Sequence, residues 1–63
     1  MSEPSLRQLL HDLSQPLMAA RGSLELALQL PPGDPAQAEF LRDAAAALER
    51  MTAEIQRARA TIQ

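Results

Sequence analysis

Apolar residues recur along this chain at alternating steps of four and three. Leu6, Leu10, Leu13, Leu17, Ala20, Leu24 and Ala27 make one such series, and Leu41, Ala44, Leu48, Met51, Ile55, Ala58 and Ile62 make a second. Steps of that kind bring side chains onto one stripe of an α-helix, so each series predicts an amphipathic helix with a heptad seam. Between them stands Pro31-Pro32-Gly33-Asp34-Pro35. A helix cannot run through it, because each proline lacks an N–H and disfavours helical geometry in the residue before it. Asp34 reads as the N-cap of the second helix, with Pro35 in the first helical position and Gln37 three residues past the cap. The pattern predicts a single domain over residues 1–63: a first helix from about residue 3 to 30, a loop at 31–35, and a second helix from about 35 to 62.

Two seams joined by a short loop predict an antiparallel hairpin. Leu9, Leu26, Leu28, Leu30, Phe40 and Ala45 widen each stripe beyond what one facing helix covers. Two hairpins packed face to face would cover the remainder. The expected fold is therefore all-α, an antiparallel two-helix hairpin that homodimerises into a four-helix bundle. A further domain of a longer protein would satisfy the same stripes.

Composition sharpens this reading. Twelve alanines and eleven leucines dominate the apolar fraction, valine, tyrosine and tryptophan are absent, and Phe40 is the one aromatic residue. Such usage favours helix over sheet. A chain of 63 residues without cysteine has neither a large core nor a disulfide to hold it, which leaves self-association as the route to stability. No thiolate metal ligand exists either, and no metal is expected.

Eight acidic residues against six arginines give a net charge of −2, dispersed along the chain. This argues against a nucleic-acid partner, including the RNA-binding helical hairpins that share this size. No apolar run approaches the roughly 18 to 20 residues that span a bilayer, and Glu3, Arg7, His11 and Asp12 stand where a signal peptide would be apolar. A cytoplasmic chain without a membrane partner is expected.

The chemistry concentrates in His11-Asp12-Leu13-Ser14-Gln15-Pro16-Leu17. A proline inside a helix costs about 3 kcal/mol and displaces the carbonyl four residues earlier, here that of Asp12. The heptad phase nevertheless runs through Pro16. A helix that keeps its seam while accepting a kink one turn after a histidine points to a site where backbone distortion is used. His11 falls on the edge of the seam and is expected to be exposed, sharing its face with Arg7, Gln8, Ser14, Gln15, Met18, Gly22 and Glu25.

His11 to Leu17 resembles the H-box of the dimerisation and histidine-phosphotransfer domain of sensor histidine kinases: His, an acidic residue, Leu, any residue, a polar residue, then Pro-Leu. Arg21 to Leu26 is similar to the segment after that box, and Phe40 to Ile62 to the domain's second helix, so the resemblance spans nearly the whole chain. It implies that His11 is the phosphoacceptor nucleophile, attacking phosphorus through Nε2, and that Asp12 is the base orienting the other ring nitrogen. A nucleophilic imidazole needs one unprotonated nitrogen, and a carboxylate at the second fixes that tautomer. Gln15, one turn on, stands where the family carries a Thr or Asn that positions water for dephosphorylating a partner. Met18, Ala19, Gly22 and Ser23 fall where the family docks a receiver domain, and Gly22, costly by roughly 1 kcal/mol inside a helix, fits a low contact surface there.

The resemblance implies a two-component phosphotransfer module that exchanges a phosphoryl group with a receiver aspartate. No glycine-rich phosphate loop occurs in the 63 residues. No cofactor is therefore expected in this chain, ATP-Mg acting only through a separate histidine kinase catalytic domain, so that the chain alone does not autophosphorylate. It reads equally as a small independent protein or as part of a larger kinase. The alternative is a non-catalytic dimeric helical module that binds or inhibits a kinase or response regulator.

Overall fold

A computed structural model describes residues 5–62, the side chain of Ile62 excepted. It contains two helices, α1 (Leu6–Gln29) and α2 (Pro35–Ile62), and no strand among the described residues. They lie antiparallel as a hairpin measuring 50 × 17 × 13 Å.

Local chemistry sets each boundary. Ser5 is extended (φ −70°, ψ 158°) and its hydroxyl accepts the Gln8 N–H at 3.0 Å, so α1 begins at Leu6. Residues 3 and 4, where the sequence reading placed its start, lie outside the described residues. At the other end Leu30 is extended (ψ 150°), as Pro31 requires of its predecessor, and α1 stops at Gln29. Pro32 and Gly33 then form the centre of a tight turn closed by the Asp34 N–H donating to Pro31 O at 3.1 Å. Gly33 has φ +85°, the conformation that the third residue of a type II turn demands. Asp34 caps α2, its Oδ1 accepting from the Ala36 N–H at 2.9 Å. The Gln37 side chain does not close a capping box. It crosses to α1 and donates to Ala27 O at 2.9 Å, an oxygen that also accepts the Leu30 N–H.

The contact between the helices is a seam of small residues. Pro16, Ala20 and Ala27 of α1 and Ala44 and Ala47 of α2 are buried. Leu9, Leu13, Ser23 and Leu30 on one side, and Phe40, Met51, Glu54 and Ala58 on the other, are half-buried around them. The seam therefore runs through 9, 13, 16, 20, 23, 27 and 30, and through 40, 44, 47, 51, 54 and 58. Alanines in facing positions let the helix axes approach to about 8 Å, the lower end of the usual range. No large side chain is fully buried among the described residues.

This corrects the two series read from the sequence. Leu13, Ala20 and Ala27, with Ala44, Met51 and Ala58, do face the partner helix. Leu10, Leu17 and Leu24, with Leu41, Leu48 and Ile55, lie one position past the seam and are between 41% and 55% exposed. Leu6, at the open end of α1, is exposed as well. The small residues decide this outcome: close approach through alanine and Pro16 leaves no room in the contact for the leucine beside them. In an antiparallel pair the positions one past the seam fall on the same side, so these six form one continuous apolar flank. The opposite flank carries Asp12, Ala19, Asp43, Arg50 and Arg57.

Candidate functional site

His11 lies in the second turn of α1, two positions past seam residue Leu9 and therefore on the outer face of the hairpin. Its side chain is exposed, and among the described residues it has no hydrogen-bond or salt-bridge partner. Gln15, four residues on, is exposed on the same face, and Met18 follows at 59% exposure. Three other polar side chains of this face are engaged locally. Ser14 Oγ donates to Leu10 O at 2.7 Å, and Arg21 pairs with Glu25 at 3.4 Å. What the face offers to an incoming group is the imidazole and the Gln15 amide, with the exposed Arg7 side chain one turn before them.

Pro16 points the other way and is buried within the hairpin contact. It has no N–H to give to the Asp12 carbonyl, so α1 lacks one of its main-chain hydrogen bonds just after His11. α1 is nonetheless helical from Leu6 to Gln29 without interruption. The ring replaces a side chain at a seam position, which is how the heptad phase passes through it.

Asp12 is half-buried and sits on the polar flank, around the helix from His11. Its Oδ1 accepts from Gln8 Nε2 at 3.0 Å, and no hydrogen bond joins it to the imidazole. It shares a groove of about 160 Å³ with Leu9, Glu54, Arg57, Ala58 and Thr61. There Arg57 donates to both carboxylate oxygens of Glu54, at 3.0 and 3.1 Å. The structure thus places His11 and Gln15 together and turns Asp12 toward α2.

Ala19 and Ser23 line a shallow groove of about 660 Å³ on that polar flank, floored by Ala46 and Ala53 and rimmed by Asp43, Glu49 and Arg50. Gly22 stands beside it, half-buried, and a Cβ built there meets nothing within 4 Å. The four residues read as a contact surface therefore divide, Met18 facing outward with His11 and the other three lying at or beside the groove. Gln8, Glu54 and Arg57 had no role in the sequence reading. Glu54 carried a signal that the structure makes plain, a carboxylate at seam spacing from Met51 and Ala58.

No group of His, Cys, Asp and Glu suited to a metal ion occurs among the described residues, and no helix there is long and apolar enough to cross a membrane. No protein-family model, curated protein or solved structure matches the chain.

Proposed function

We propose that the chain is a two-component phosphotransfer module in which His11 accepts a phosphoryl group and exchanges it with a receiver-domain aspartate. The observation that carries this reading is the opposed placement of His11 and Pro16. One imidazole stands free on the outer face, while the proline five residues on packs into the seam and leaves the backbone between them short of a hydrogen bond. A nucleophilic imidazole needs both an unprotonated nitrogen and an open approach, and this position supplies the approach. The transferred group comes from ATP-Mg on a separate histidine kinase catalytic domain, or from a receiver's aspartyl phosphate. In either case His11 Nε2 forms the N–P bond as the P–O bond to the donor breaks.

The working unit of this proposal is a homodimeric four-helix bundle. A hairpin whose buried core is alanine and proline is too thin to be stable by itself. Each half-exposed leucine of the apolar flank contributes about 1 kcal/mol once covered. A second copy meeting the flank by two-fold symmetry covers all of them and leaves His11, Gln15 and the polar groove open.

The test is incubation of the purified chain with a partner kinase's catalytic domain and radiolabelled ATP. Acid-labile, base-stable phosphate is expected on the chain and absent from the His11→Ala variant, whose dimer should persist because the ring lies off both contact faces. Labelling that survives His11→Ala overturns the proposal. Retained binding of the catalytic domain by both forms, with neither labelled, identifies instead a non-catalytic module that binds or inhibits its partner.

A further inference from the structure

The resting place of Asp12 carries an inference about how the site is regulated, and it rests on the phosphotransfer reading of His11. A carboxylate adjacent to a nucleophilic histidine is most effective when it accepts the Nδ1–H, since that leaves the lone pair on Nε2. Asp12 instead accepts from the Gln8 amide at 3.0 Å, on the flank that faces α2. Across the same groove lies Arg57, a cation that would hold Asp12 there more firmly if it were free. Its Nη1 is engaged by both carboxylate oxygens of Glu54, which draws the guanidinium charge toward Glu54 and away from Asp12. Glu54 occupies a seam position where an apolar residue would pack better, and its side chain is only 28% exposed. Packing alone gives no reason for a carboxylate there.

We propose that Asp12 is a two-position element: latched on Gln8 it leaves His11 unoriented, and released it turns to the imidazole and arms it. Gln8 is the latch. Glu54 limits the latch by drawing Arg57 to itself through Nη1, so α2 sets how readily α1 is armed. Both act as positioning residues, through Asp12. In the armed state the Nδ1 proton stays on the ring, held by Asp12, while Nε2 takes the phosphoryl group and the donor oxygen leaves with the electron pair of the P–O bond.

The two sides of the latch have opposite signs, and this makes the proposal testable. Gln8→Ala releases Asp12 and is expected to speed labelling of His11 by about two- to fivefold, the range that one exposed side-chain hydrogen bond supports. Glu54→Gln frees Arg57 for Asp12 and is expected to slow labelling by a similar factor, and Glu54→Gln with Arg57→Ala is expected to restore it. A second measurement needs no phosphate donor. Nitrogen-15 NMR of the neutral His11 ring is expected to show more Nδ1–H tautomer in Gln8→Ala than in the parent. Asp12→Asn added to Gln8→Ala is expected to abolish that gain. An unchanged tautomer ratio in Gln8→Ala, or rate changes of the same sign in Gln8→Ala and Glu54→Gln, overturns the latch. If the parent takes no phosphate while the tautomer ratio shifts as expected, the phosphotransfer reading fails and the latch stands.

Discussion

Single residues in this chain separate conformational need from chemical use, and the two glycines show how. Gly33 sits at φ +85°, where any side chain is strained by about 1 to 2 kcal/mol. Gly33→Ala is therefore expected to lower stability by about that amount in urea titration. Gly22 is mid-helix with open space around the position of a Cβ. Gly22→Ala is expected to raise stability by about 0.5 to 1 kcal/mol, through better helix propensity and a less disordered unfolded chain. A glycine that costs stability and fills no packing need fits a surface kept low for a partner. The same substitution should then weaken the proposed receiver binding, measured by titration calorimetry; unweakened binding removes Gly22 from the contact surface. The exposure of His11 was readable at this scale, since it lies beside Leu10 and off every apolar series. The hold of Gln8 on Asp12 was not, because side chains four apart can pair in several ways and spacing alone does not choose among them.

At the scale of elements, the two helices, the turn and the Asp34 cap follow from local chemistry and could be read directly. The phase of each helix could not be fixed the same way. Both apolar series mixed two neighbouring stripes, one that packs within the hairpin and one that it leaves open. A four-three rhythm is satisfied equally by Leu10, Leu17 and Leu24 or by Leu9, Pro16 and Ser23, and only the partner helix decides which turns inward. Alanine and proline won because they permit the closer approach. Two outcomes follow for the elements. Asp34→Ala should cost about 1 kcal/mol, since the Ala36 N–H loses its acceptor. Pro16→Ala should add about 1 to 2 kcal/mol, as the roughly 3 kcal/mol penalty of an interior proline outweighs the burial lost with its ring. Denaturant midpoints check both, and a Pro16→Ala chain of lower stability would show that the ring's packing dominates.

For the molecule as a whole, the decisive asymmetry is between its two flanks. One presents Leu10, Leu17, Leu24, Leu41, Leu48 and Ile55 without a single charge among them; the other presents acidic and basic side chains around shallow grooves. Leu17→Glu or Leu48→Glu is expected to shift sedimentation equilibrium from the proposed dimer to monomer and to reduce helicity along with it, because the hairpin's own core is thin. His11 lies outside the leucine flank, so the proposed assembly and the proposed chemistry can be separated by mutation. The most direct measurement of the central proposal is phosphorus NMR of the chain mixed with a receiver domain carrying aspartyl phosphate. The acyl-phosphate signal is expected to fall as a phosphohistidine signal rises, and no phosphohistidine signal is expected with His11→Ala. An acyl phosphate that decays to inorganic phosphate alone, at the same rate with the parent chain, with His11→Ala and without either, would contradict it.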